Sequence, residues 1–559
     1  MAKCLLHHDG RPGLPTATHS DANTVLAVTN VSYDFFMNTD DLTTHSAPPQ
    51  GAPIPTSLSK AARWRVLVAV MVAWVPIAMD MTILHIAVPS LTLSLQATGT
   101  EILWIIDIYP LIVASLLVPM GTQGDRIGPR KLLLAGLVIF LVASLAAAFS
   151  PTAKALIISR ALLAVGAAMI VPSVLATIRI TFDDWKERAM ALGIWGTVST
   201  VAAAMGPLAS GLLLEHFWWG SVFLINVPII LIILPLAAYL LPKPQIMAKG
   251  SWPIGQALTL AAGLMATVYA IKAAFKQGAS LLLCGSILGC GIFLLILFVR
   301  KQLTARTPML DLGLFRLPAI RVGLVTALIV SGALAGVELT IAQELQFVLA
   351  RTPLQAGIFM LPIMISAGVG GPLAGKLVVW GGLRNVCTLS LLAAGASLAG
   401  LGLASFHDAG WLVGSYMVVL GLSLSIGLTA SSIAIMGSVP PEKGGAAGSI
   451  EALGYDLGTG LGITGFGVLL SANYSAALHL PEHLRQGLPD NVIDSISDTM
   501  VAAELAGGEK GKTIAEAGQA AFSAAHSTVL LSAALLVFLL GLWVFNGLRH
   551  YSPNEQSRS

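Results

Sequence analysis

Residues 121–130 read GTQGDRIGPR, and residues 375–384 read GKLVVWGGLR. Gly121, Gly128 and Arg130 of the first stretch recur in register as Gly375, Gly382 and Arg384 of the second, while the Asp125–Arg126 pair is replaced by Val379–Trp380. Each stretch closes an apolar run, 102–121 in one case and 355–380 in the other. A motif repeated at matching places between apolar runs implies a chain built from two related halves. Glycines at such a junction permit a tight turn and close helix approach, and Asp125, Arg126 and Arg130 form a charge cluster at helix ends that can be made or broken as the halves move.

Working outward, apolar runs long enough to cross a bilayer as helices recur along the chain at about 66–92, 102–121, 131–150, 154–181, 188–215, 219–241, 254–274, 280–299, 320–348, 355–380, 384–405, 411–437, 445–473 and 524–548. Hydrophobic residues make up 55% of the 559 and charged residues only 11%, against about 25% in soluble domains, so a soluble fold is excluded. The expected fold is an all-α polytopic membrane protein of fourteen transmembrane helices, with spans 7 and 8 inserted between two six-helix halves. The corresponding divisions are a solvated cytoplasmic tail at 1–58, a first half at 59–245, the inserted pair and a linker at 246–318, a second half at 319–549 and a short tail at 550–559.

Alternate loops carry Arg63, Arg65, Arg126, Arg130, Lys131, Lys186, Arg188, Lys243, Lys249, Arg300, Lys301, Arg306, Arg316, Arg384 and Lys443. That asymmetry places them, and both termini, in the cytoplasm. The net charge of +3 and the absence of aromatics among the basic residues exclude nucleic-acid binding. Cys4, Cys284, Cys290 and Cys387 show no metal-ligand spacing, and no metal or cofactor is expected. The segment 474–523 has seven acidic residues against three basic ones. Its apolar positions Val492, Ile496, Met500 and Val501, then Ile514, Ala517 and Ala521, fit a helical hairpin turning at Gly507–Gly508, but the preferred reading is a solvated outer loop.

The chemistry sits in acids placed inside spans. A charge at the centre of a membrane helix costs about 2.5–3.5 kcal/mol on the insertion scale, so such a residue pairs, binds a cation or carries a proton. Asp80 in the first span and Asp107 in the second are the leading candidates, and Trp104 and Tyr109 flank Asp107 with ring faces suited to an organic cation. Arg160 in the fourth span invites a switchable pair with one of these carboxylates, against a bland reading as an interfacial anchor near Lys154. The second half adds Glu338 and Glu344 in the ninth span and Glu451 and Asp456 in the thirteenth. Five residues apart, the last two differ by about 140° around a helix, so one faces a cavity while the other packs or titrates. Glu451 ranks first for cation contact, and Glu344, near the end of its span, is expected to meet water. His85 is a titratable or a packing residue.

From about residue 60 to 549 the chain resembles the major facilitator superfamily, and within it the fourteen-helix drug:proton antiporters. The stretch from Gly121 to Lys131 resembles the superfamily signature between helices 2 and 3, which implies a conformational latch at Gly121, Asp125, Arg126, Gly128 and Arg130. The fifth span, with Gly193, Gly206, Pro207, Ser210 and Gly211, resembles the signature of antiporters, although Ala202 and Ser210 stand where that pattern has glycine. Asp80 with Thr82 and Pro89, Trp104 with Asp107 and Tyr109, Arg160 with Gly166, and Glu451 with Asp456 resemble family motifs in spans 1, 2, 4 and 13.

The resemblance implies a monomeric antiporter of a bacterial inner membrane, coupled to protons through Asp80, Asp107 and Arg160. It would export lipophilic cations (quaternary ammonium biocides, methyl viologen, dyes, bisbiguanides) held by Asp107, Trp104, Tyr109, Glu338, Glu451 and Asp456. Export of a lipid, siderophore or metabolite is the alternative. A membrane enzyme using the Asp183–Glu187 cluster is the distant one, since helix capping explains those acids more simply.

Overall fold

The computed structural model describes residues 59–182, 184–242, 254–274, 280–305, 308, 312–404, 406, 410–439, 444–481, 484 and 490–549. With no water in a hydrocarbon layer to satisfy backbone groups, apolar runs of this length must close their hydrogen bonds internally. Among the described residues, fourteen helices are long and apolar enough to cross a membrane. They are α1 (Lys60–Leu95), α2 (Gly99–Ile127), α3 (Pro129–Ala148), α4 (Ala153–Thr181), α5 (Trp185–His216), α6 (Ser221–Leu240, broken at Ile225), α7 (Ile254–Ala274), α8 (Leu281–Thr304), α9 (Pro318–Gln343), α10 (Pro353–Gly381), α11 (Leu383–Leu403), α12 (Trp411–Met436), α13 (Gly444–Ala477) and, after the short α14 (Ile496–Ala506), α15 (Gly508–Gly547). A widened turn, Glu344–Val348, extends α9. Asp125 has its side chain outside the described residues, as do the whole of Asp183 and the expected tails.

The repeat reappears in local geometry. Thr98 caps α2 and Thr352 caps α10, each side chain accepting from the backbone three residues on, while Glu101 and Gln355 reach back to the capping residue. The two helices run 29 residues each and end at Gly128 (φ 91°, ψ 140°) and Gly382 (φ 77°, ψ 146°). This backbone region is open almost only to glycine. The stretch 121–127 is therefore helical, and only Gly128 makes the turn.

Helix pairing repeats as well. Within the first six spans α1 packs on α5, α2 and α3 on α4, and α1 and α3 on α6; within the last six α9 packs on α13, α10 and α11 on α12, and α9 and α11 on α15. One apolar core draws almost wholly on residues 67–241 and a second almost wholly on 319–548. The halves meet where α2 lies on α13 and α5 on α10. Helices α7 and α8 form a hairpin whose α7 lies along α2 and α13, at one of these seams. Leu281 and Leu282 at the start of α8 are 77% and 86% exposed, a surface that lipid rather than water would cover.

The segment after α13 is a helical hairpin rather than a solvated loop. Gly507 (φ 59°) and Gly508 (φ 56°) make its turn, and α15 then runs 40 residues, about 60 Å, twice the thickness of the hydrocarbon layer. Its first part is too polar to read as a span, yet Ile514 and Ala521 are buried, Ala521 in one cluster with Ile496 and Tyr474.

Candidate functional site

Asp80 and Arg160 meet in the interior of the first half. Arg160 is 2% exposed and Asp80 1%. The Arg160 guanidinium pairs with Asp80 Oδ2 through Nη1, and its Nε donates to the Ile105 carbonyl at 3.1 Å. Its Cζ also lies 4.5 Å from the centroid of the Tyr109 ring. The carboxylate that Arg160 takes is thus Asp80, and an interfacial anchor is ruled out by its burial. Asp80 Oδ1 and the Tyr109 hydroxyl have no hydrogen-bond partner among the described residues.

Asp107, fully buried on α2, joins three elements. Thr464 Oγ1 of α13 donates to Asp107 Oδ2 at 2.6 Å, and Lys272 Nζ of α7 lies 2.7 Å from the same oxygen. The ammonium also stands 4.1 Å from the centroid of the Trp104 ring. The ring faces flanking Asp107 are therefore both occupied by the protein's own cations, Lys272 over Trp104 and Arg160 over Tyr109. Lys272 and Thr464 were not legible as site residues: a lone lysine near the end of an apolar run reads as a snorkelling side chain, and a threonine in a span reads as packing.

The second-half acids separate by surroundings. Glu338 on α9 is 6% exposed, with Oε2 3.3 Å from His85 Nδ1 of α1 across the two halves. Asp456 is 8% exposed and has no basic partner among the described residues. Glu451 is half-buried beside Ser432. Glu344 does not meet water as its place near a span end suggested: it is 3% exposed and accepts from Ser523 Oγ at 2.7 Å, because α15 extends past the membrane and covers it.

The two signature regions are also placed. Arg130 donates to the Ala238 carbonyl at the end of α6, and Arg384 Nε donates to the Phe545 carbonyl near the end of α15 at 2.8 Å while its guanidinium stacks on the Phe545 ring. Repeat-related arginines thus cover carbonyls left open at the last turn of the last helix in each half. In α5, a Cβ on Gly206 would lie 3.1 Å from Met79 O and Ile83 N, and one on Gly211 2.7 Å from Pro353 O. Pro207 O faces Gly357 in the same way. The helix is pressed between α1 and α10, whereas Gly193 faces open space. Asp184 accepts from the Glu187 backbone at 2.9 Å and Glu187 pairs with Arg63 at 2.8 Å, so these acids cap and anchor α5.

An open-mouthed pocket is lined by Thr100 and Leu103 of α2, Gln343 of α9, Gly467 of α13, Ser497 of α14 and Lys272, and Lys272 links it to Asp107. The pocket is thus lined from both halves, with one cation of a buried ion pair in its wall.

Comparison with known proteins agrees with this geometry. The sequence pattern described as Major Facilitator Superfamily matches residues 70–463. The chain is 44% identical over 483 residues to the methyl viologen resistance protein SmvA of Salmonella typhimurium, covering 86% of this chain and 98% of that one. It is 33% identical over 495 residues to the multidrug efflux pump LfrA of Mycolicibacterium smegmatis, covering 87% and 96%. In fold it is similar to a bacterial homolog of the human lysosomal transporter Spinster, with TM-score 0.61 at 18% identity over 89% of this chain and all of that one. With a pattern match across most of its length and twelve of its described spans paired in two repeating halves, the chain belongs to the Major Facilitator Superfamily.

Proposed function

We propose that the chain is a proton-coupled efflux antiporter for lipophilic cations, residing in a bacterial inner membrane as a monomer with both termini in the cytoplasm. The observation that carries this reading is Asp107, a buried carboxylate at the α2–α13 seam with a cation 2.7 Å away and an aromatic face beside it. The names of SmvA and LfrA, a methyl viologen resistance protein and a multidrug efflux pump, point to the same cargo.

A buried ion pair is poor value as a stabiliser, since removing its charges from water roughly cancels their attraction. Its use is as a switch. A proton on Asp80 frees Arg160 to shift, and a proton on Asp107 or Glu338 loosens ties that cross the halves to Thr464 and His85. Cargo cation and proton then compete for the same carboxylates, so each is exported or admitted in exchange for the other. Asp456, without a basic partner among the described residues, and the half-buried Glu451 support cation binding from the opposite half. Arg126 and the Asp125 backbone lie where α2 ends, and their part is to let α2 and α3 move together.

Reconstituted vesicles with an imposed pH gradient test the proposal. Tetraphenylphosphonium should be driven across the membrane only while the gradient lasts, and Asp107→Asn should abolish this. Gradient-independent movement, or movement of an anionic lipid or siderophore in place of the cation, would refute it.

A further inference from the structure

Lys272 is badly provided for. Its ammonium is buried 2.7 Å from one carboxylate oxygen and over one ring, and no second acceptor for its remaining N–H groups is found among the described residues. An ammonium carries three N–H donors, and leaving buried donors unsatisfied costs free energy. Asp107 Oδ1 likewise has no partner. The seat offers charge and a ring face, with no array of acceptors. Such a seat fits a cation that has no N–H at all better than it fits a lysine.

Resting on the efflux reading above, we infer that Lys272 is a resident cation that holds the Asp107–Trp104 seat in the empty transporter, and that cargo enters by displacing it. Lys272 belongs to α7, outside the two repeating six-helix sets, and reaches the seat from the side where α7 lies along α2 and α13. It also lines the pocket, so its long side chain has somewhere to go when displaced. The tethered ammonium keeps the carboxylate from standing bare between cycles. It also sets specificity: a guest must be positively charged, and quaternary ammonium or phosphonium centres, having no donors to strand, outcompete primary amines of equal bulk. The other titratable groups lining the cavity, Tyr474 and Asp494, sit on α13 and before the hairpin helix.

The test uses purified full-length protein at one alkaline pH, with tetraphenylphosphonium as probe. Lys272→Met should bind it at least tenfold more tightly than the wild type, Lys272→Arg should bind no more tightly than the wild type, and Asp107→Asn should lose binding. In the wild type, acetylation of Lys272 by a water-soluble acetylating reagent, read by mass spectrometry, should rise when the probe is added. This second readout needs no variant to fold. Equal or weaker binding by a folded Lys272→Met, or unchanged acetylation while the probe binds, would overturn the resident-cation role and leave the efflux reading standing. Absence of saturable binding by the wild type would sink both.

Discussion

Substituting Arg160→Gln removes one member of a pair in which neither residue is more than 2% exposed. Three interactions go with it: the ion pair to Asp80, the bond to the Ile105 carbonyl and the contact with the Tyr109 ring. Stranding the buried partner costs about 3–5 kcal/mol. The double variant Asp80→Asn with Arg160→Gln loses the same three interactions but carries no stranded charge, so the lost Ile105 and Tyr109 contacts cancel when the two variants are compared. Amide groups at both positions can bond to one another and recover part of the lost pairing. The double variant should therefore be more stable than the single one by about 1–3 kcal/mol, the share of the cost that belongs to the stranded carboxylate. Intrinsic-fluorescence melts in detergent measure this, and transport by the same two proteins should be absent in both. A double variant no more stable than Arg160→Gln would show that Asp80 is not held charged by Arg160, and the switch assigned to this pair would fall.

Gly382→Ala should cost about 1–3 kcal/mol from backbone strain alone, since nothing lies within 4 Å of its would-be Cβ; a melt unchanged from wild type would contradict the positive φ. Gly206→Val, by contrast, should block transport with a loss of about 1–3 kcal/mol from overpacking against Met79 and Ile83, whereas Gly193→Ala, in open space, should do neither. Vesicle efflux and melting on both variants decide it. Glu338→Gln should weaken cation binding without abolishing it, because it removes the tie to His85 while leaving the Asp107 seat intact; loss of all binding would place cargo at Glu338 instead.

The spans were legible because a hydrocarbon layer demands about 20 apolar residues and little else satisfies that pattern. The repeat was legible from three positions, Gly121, Gly128 and Arg130, although its matched capping pairs Thr98–Glu101 and Thr352–Gln355 passed unnoticed because Glu and Gln differ in charge while capping alike. The final helix was cut short at 524 because residues 508–523 are polar on the side away from α14, and only the Ile514–Ala521 stripe betrays the helix. Asp80, Asp107 and Arg160 stood out as charges where charge is costly. Their partners did not, since which helix faces which is a property of packing that hydropathy does not encode. Lys272 and Thr464 come from α7 and α13, and only the seam with α2 brings them to Asp107.

Proton counting in lightly buffered solution tests the exchange of charge at Asp107 most directly. Titrating tetraphenylphosphonium onto the wild-type protein over a series of pH values should release protons in step with occupancy at the acidic end, where a proton rather than Lys272 neutralises Asp107. Affinity should rise there as pH rises by no more than about tenfold per unit for each proton exchanged, and Asp107→Asn should release none. Saturable binding of the cation with no proton released at any pH would contradict the account.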